Sequence, residues 1–228
     1  MSYRLYIGNK NYSSWSLRPW VLLAELNIPF EEQLEQFEDG GSFEKFRTFS
    51  PTGLVPCLVD GEQTVWESLA IVEYVAEQHA SVWPADTAAR AWARSAAAEM
   101  HAGFNALRNH CPMNVGLRIT LNEIPEALHS DLARLDELWQ QGLDTFGGPF
   151  LAGAQFTAVD AFFAPVCYRI QTYDLQISEP AQQYCQRILS TRAMQAWTTA
   201  ALAETFREAD HEVEFAALGT INQDLRAT

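Results

Sequence analysis

A change of hydrophobic rhythm partway along this chain constrains its fold more than any single motif. Up to His79, strand-like and helix-like segments alternate; from about Thr87 onward every periodic segment carries helical spacing. In the first part, Tyr3–Gly8 alternates as a strand does. Leu17, Trp20, Val21, Leu23, Ala24 and Leu26 then recur at helical intervals, with Pro19 expected in the first turn of that helix. Phe30–Phe37 reads as a second strand and Phe43–Phe49 as a short helix. Val55–Val59 and Gln63–Trp66 read as a hairpin about Asp60-Gly61, and Ser68–His79 as a helix. In the second part, helices are expected over Ala88–His110, Pro125–Phe146, Ala158–Tyr173, Pro180–Leu189 and Arg192–Ala203. Thr157-x-x-Asp160 has the form of a capping box. The expected organisation is an α/β domain over residues 1–80, a linker at 81–87, and an all-helical domain over 88–228.

Charge narrows the partners. With 15 Lys and Arg against 29 Asp and Glu, the net charge is −14, and no basic run interrupts it. Nucleic acid and anionic membrane surfaces are therefore not expected partners, whereas a small anion captured locally is. The first residues lack the apolar region of a signal peptide, and the apolar stretch around Ala158–Val166 contains Asp160 and is too short to cross a bilayer. Cys57, Cys111, Cys167 and Cys185 are widely spaced, without a CxxC, and the five histidines form no zinc pattern. The expectation is a cytoplasmic protein with buried thiols and no metal.

Three segments carry candidate chemistry. Asn11-Tyr12-Ser13-Ser14-Trp15-Ser16 lies between the first strand and the first helix, where a helix N-terminus favours an anion and a hydroxyl can hold a thiolate ionised. Ser16, next to the helix, reads as its N-cap; Ser13 and Ser14 stand free for a ligand. In Ser50-Pro51-Thr52-Gly53-Leu54-Val55-Pro56, a proline opens a strand, so the bond before it is either an ordinary trans link or a cis bend that turns the Val55 backbone outward to pair with a peptide. Glu67 and Ser68 sit at a strand-to-helix transition, placed to cap the helix or to hold the charged end of a ligand. A dinucleotide site lacks its GxGxxG, a serine hydrolase lacks GxSxG, and a redox dithiol lacks any cysteine before Cys57.

Taken together, these segments resemble the glutathione transferase family along essentially the whole chain. SPTGLVP resembles its N-P-x-G-x-V-P segment, ESLAI its E-S-x-A-I segment, and Pro149–Pro165 (PFLAGAQFTAVDAFFAP) its helical-domain signature. The resemblance implies an α/β thioredoxin-like N-terminal domain followed by an all-α C-terminal domain, and a cis bond at Val55–Pro56. It implies glutathione as co-substrate, its cysteinyl backbone on Val55 and Pro56 and its γ-glutamyl end on Glu67 and Ser68. NYSSWSLRPW looks most like the serine-type loop of the zeta class, which includes maleylacetoacetate isomerase; Trp15 and Pro19 depart from that pattern. Carried over, Ser13 would donate to the thiolate with Ser14 assisting; a tyrosine mechanism would call on Tyr6 or Tyr12. A small apolar electrophile would sit between the domains, against His101, Phe104, Asn105 and Arg108, which share helical spacing. Three functions follow: a conjugating transferase, a maleyl-type isomerase needing cations such as Arg18, Arg108 or Arg118, or a non-catalytic binding protein. Family members usually form homodimers, and Phe43, Phe46 and Phe49 either anchor a partner subunit or face the core.

Overall fold

The computed structural model describes residues 3–227. Strands β1 (Tyr3–Ile7), β2 (Phe30–Leu34), β3 (Cys57–Asp60) and β4 (Gln63–Trp66) form one mixed sheet in the order β2-β1-β3-β4. The alternation in β1 sends Tyr3, Leu5 and Ile7 into the core while Arg4 stays exposed. β1 runs parallel to β2 and antiparallel to β3, with Leu5 opposite Glu32 and Leu58. A parallel neighbour requires a crossover, which α1 (Ser14–Glu25) supplies. Gly61, at φ 58°, turns the β3–β4 hairpin, as the Asp-Gly pair predicts. The short α2 (Phe43–Phe46) and α3 (Ser68–Gln78) complete this unit.

Two local expectations shift. The first helix begins at Ser14, so Pro19 falls in its second turn rather than its first. Of the aromatic trio, Phe46 is buried and Phe49 stacks on Tyr6 at 4.3 Å, while Phe43 stays exposed.

The second part contains α4 (Thr87–Ala102), α5 (Asn105–His110), α6 (Glu126–Phe146), α7 (Ala158–Tyr173), α8 (Glu179–Leu189), α9 (Arg192–Ala203) and α10 (Ala209–Leu218). No helix among the described residues is long and apolar enough to cross a membrane. α7 is the central pillar: every residue but Gln171 is buried, which suits a helix apolar on all sides. It packs against α1, α4 and α8. Its start is secured by the expected capping box. Asp160 accepts the N–H groups of Thr157 at 2.9 Å and Leu151 at 3.0 Å, and the Tyr184 hydroxyl at 3.0 Å.

The helix expected over Ala88–His110 is broken. α4 ends at Ala102, Gly103 is extended, Phe104 adopts a left-handed conformation at φ 56°, and α5 starts afresh. The cause is tertiary. The Arg108 guanidinium folds back on the carbonyls of Met100, His101 and Gly103, ending α4, while Asp131 from α6 accepts the Leu107 N–H at 2.9 Å. The helical part also holds a two-stranded antiparallel sheet of β5 (Leu117–Leu121) and β6 (Gly219–Asp224). The Leu-Arg-Ile-Thr-Leu alternation of β5 is a strand signal; β6 is polar and exposed and carries none.

Candidate functional site

The loop before α1 is fixed from both sides. The Asn9 carbonyl accepts the N–H groups of Tyr12 and Ser13, and Glu204, just beyond α9, accepts those of Lys10 at 2.7 Å and Asn11 at 3.2 Å. The Trp197 indole in α9 donates to the Lys10 carbonyl at 3.0 Å. These bonds hold Ser13 at the N-cap position and Ser14 as the first residue of α1, both nearly buried. Ser13 makes no side-chain cap, and the Trp15 and Ser16 N–H groups have no protein acceptor among the described residues. The positive end of α1 is thus left open.

The hydroxyls differ in where their protons go. Ser13 Oγ donates to Ser16 Oγ at 2.7 Å, and Ser16 Oγ also accepts the Gly8 N–H at 3.2 Å. Ser16 therefore ties the loop to β1 from within the helix instead of capping it. Ser14 Oγ accepts from Arg169 Nη2 of α7 at 3.3 Å, so its own proton is uncommitted.

Ser13 and Ser14 line an open cavity of about 330 Å³ together with Tyr12, Val55, Arg108 and Arg169. A second cavity of about 300 Å³ adjoins it, lined by Thr52, Pro56 and Glu67, and Trp15, Leu54 and Val55 border both. The Val55–Pro56 bond is cis, as the family resemblance implies. Glu67 is exposed at φ 69° directly before α3. Ser68 opens that helix fully buried and lines neither cavity, and its hydroxyl has no partner among the described residues.

Of the residues expected on the second pocket, Arg108 lies on the cavity wall; His101, Phe104 and Asn105 line neither cavity. Their common face depended on one continuous helix, and the break at Gly103 removes it. Phe104 is buried, Asn105 is exposed, and His101 packs edge-on against Trp15 at 5.3 Å. Burial, with Arg18 beside it, pushes the His101 imidazole below its ordinary range. Sequence reasoning missed Arg169, Pro112, Met113 and His211, which also line the cavity. Arg169 and Ser14 stand 155 residues apart, and no local pattern links them.

Neither tyrosine offers a free hydroxyl to the cavities. Tyr6 stacks on Phe49 and lines neither cavity. Tyr12 donates to Glu212 of α10 at 2.8 Å, and burial, followed by that carboxylate, raises its hydroxyl well above the ordinary range. Behind Trp15 lies Arg18, fully buried, its guanidinium 4.1 Å from the indole centre and 5.0 Å from that of Phe162. None of its three side-chain nitrogens has a hydrogen-bond partner among the described residues. Burial, then the neighbouring Arg108 and Arg169, pushes its ionisation well down.

The family model described as glutathione S-transferase, N-terminal domain, matches residues 12–78, and the one described as glutathione S-transferase, C-terminal domain, matches 118–208. A probable maleylacetoacetate isomerase of Caenorhabditis elegans is 26% identical over 183 residues, 76% of this chain and 81% of that one. A dichloromethane dehalogenase of Methylorubrum extorquens is 50% identical over 58 residues, which are 25% of this chain and only 20% of the dehalogenase. Among solved structures, a glutathione transferase homologue from Burkholderia, determined with bound glutathione, superposes at a TM-score of 0.68. It is 24% identical, and the match covers 88% of this chain and 98% of the other, a likeness of fold. With both domain models matched in order, over a mixed sheet followed by helices, this chain belongs to the glutathione transferase family.

Proposed function

We propose that this protein is a glutathione transferase of the serine type, which ionises the glutathione thiol and presents it to a small electrophile. The observation that carries the reading is the convergence on adjoining cavities of four features: the open N-terminus of α1, an uncommitted Ser14 hydroxyl, the cis Val55–Pro56 link and Glu67, with Ser68 buried directly after it in the chain. Residues 1–80 hold the tripeptide, and 88–228 supply the acceptor side. The cysteinyl backbone pairs with Val55 beside Pro56. The γ-glutamyl end meets Glu67 through its ammonium and the buried Ser68 hydroxyl through its carboxylate. The sulfur then lies at the N-terminus of α1.

A free thiol titrates near ~8.5, so a fall of about two units corresponds to about 2.7 kcal/mol of preferential stabilisation of the thiolate. The helix end and one hydroxyl bond to a charged acceptor together supply that order of magnitude. Ser13 and Ser14 share the work unequally. Ser13 has its proton on Ser16, so Ser14 leads as donor, and Arg169, by donating to Ser14 Oγ, makes that hydroxyl more acidic. The thiolate attacks an electrophilic carbon; the sulfur–carbon bond forms while the leaving group departs with its electron pair. Of the cations the isomerase alternative calls on, Arg18 is covered by Trp15 and Arg118 donates to the Val115 and Leu117 carbonyls, leaving Arg108 on the wall. Arg169 joins it there, and two neighbouring guanidinium groups seat one carboxylate rather than the two of a maleyl diacid, so we place conjugation ahead of isomerisation. The buried cysteines suit a reducing cytoplasm, and the family's usual homodimer is the proposed assembly.

The test is calorimetric titration with glutathione alongside turnover of a chlorodinitrobenzene. Saturable binding with thiol-dependent release of chloride supports the reading. Binding with no turnover of either a haloaromatic or a maleyl diacid leaves a non-catalytic binding protein.

A further inference from the structure

We propose that the second substrate carries a carboxylate, seated between Arg108 and Arg169 on the cavity wall beside Ser14; this rests on the transferase reading and names the acceptor's chemical class. The sequence alone points to an apolar electrophile, and the wall is not apolar throughout.

Arg169 is only 3% exposed, yet Nη1 has no acceptor among the described residues; Nε donates to the Cys111 carbonyl at 2.8 Å and Nη2 to Ser14 Oγ. A buried guanidinium left partly unsatisfied costs stability and is retained where something else occupies the free donor. Arg108 is anchored through Nε and Nη2 to the end of α4, and its Nη1 has no protein acceptor among the described residues. Its guanidinium lies 4.7 Å from the Trp15 ring centre.

Asp131 acts on Arg108 and Glu67 on Arg18 only from beyond contact, and no ion pair closes this cluster. Among the described residues, no carboxylate comes within ion-pair distance of Arg108, Arg169 or Arg18, although the chain carries a net charge of −14. Burial and the neighbouring Arg108 hold the Arg169 ionisation down at about 10, which is the response of cations lacking a counter-ion. The glutathione thiolate does not account for both groups. Arg169 reaches the sulfur position through Ser14, whereas Arg108 enters the cavity from α5. Trp15, Phe46, Pro112 and Met113 complete the wall with apolar surface. An acceptor with an aromatic or unsaturated body and one carboxylate fits that division, the two arginines holding the anion while the body lies on Trp15 and Met113.

Product-like conjugates test this without turnover. Calorimetry compares S-(4-carboxybenzyl)glutathione with S-benzylglutathione on the wild type, Arg108→Gln, Arg108→Lys and Arg169→Gln, with plain glutathione reporting an intact tripeptide site in each. The wild type is expected to bind the carboxylated conjugate at least about tenfold tighter, equivalent to about 1.4 kcal/mol. Arg108→Gln and Arg169→Gln should bring the two conjugates together, while Arg108→Lys keeps part of the preference. Equal affinities in the wild type, tighter binding of the benzyl compound, or failure of both conjugates where glutathione binds overturns the proposal. So does a preference that survives both glutamine variants; if Arg169→Gln does not fold, the Arg108 pair decides. Loss of plain glutathione binding in the wild type removes the transferase reading as well.

Discussion

Replacing Ser14 by alanine should raise the thiol pKa of bound glutathione by about one to two units, because a hydrogen bond to a charged acceptor is worth roughly 1.5–3 kcal/mol. The structure distinguishes this residue from its neighbour. Ser14 Oγ takes a bond from Arg169 at 3.3 Å and keeps its proton free, while the Ser13 proton lies on Ser16 at 2.7 Å. If the wild-type complex titrates near ~6.5, about three quarters of the bound thiol is ionised at neutral pH. A shift to between ~7.5 and ~8.5 leaves about a quarter to a few per cent, so turnover should fall roughly three- to twenty-five-fold if chemistry limits the rate. The ultraviolet absorbance of the thiolate, followed against pH in the binary complex, reads the pKa directly. Ser13→Ala should move it by less than about half a unit, since the α1 N-terminus and Ser14 remain. A larger shift in Ser13→Ala than in Ser14→Ala would refute the assignment of protons, and no shift in either would remove hydroxyl stabilisation altogether.

Other parts of the molecule answer to different measurements. Ser68→Ala deletes a buried hydroxyl with no partner among the described residues, so urea stability should change by less than about 0.5 kcal/mol while glutathione affinity falls about tenfold. Burial pushes the Asp160 carboxyl up to about 6 against four hydrogen bonds that oppose the shift. A folded value above the ordinary one means the protonated form favours the fold: this contribution is full below about 4 and is lost as pH rises through about 6. Denaturation midpoints should therefore fall between those limits in the wild type, and Asp160→Asn should flatten the profile. Arg226 joins Glu212 and Asp224 near the Tyr12 hydroxyl, so Arg226→Ala should speed amide exchange in β6 before the core of α7 responds.

The N-terminal domain was legible because each of its elements announces itself locally. The Asp60-Gly61 pair marks the hairpin, alternation marks β1, and the run of polar residues before Leu17 marks the loop that carries the serines. The acceptor side was not, for reasons that lie between elements. An isolated glycine at 103 is tolerated in many helices; here the helix ends because Arg108 turns back onto its last carbonyls and Asp131 starts the next one. That break alone removes Phe104 and Asn105 from the cavity. Arg169 reads in sequence as one more residue of a buried helix, and only the packing of α7 on α1 carries it to Ser14. The proton order of Ser13, Ser14 and Ser16 is likewise tertiary, since it depends on the Gly8 N–H and on Arg169.

The most direct test of the account is a crystal structure of the glutathione complex. It should place the sulfur within hydrogen-bond distance of Ser14 Oγ at the N-terminus of α1, the cysteinyl backbone on Val55, and the γ-glutamyl carboxylate on Ser68. A sulfur bound to Tyr12 or Ser13 with Ser14 unengaged, or a tripeptide lying elsewhere at saturating concentration, would contradict it.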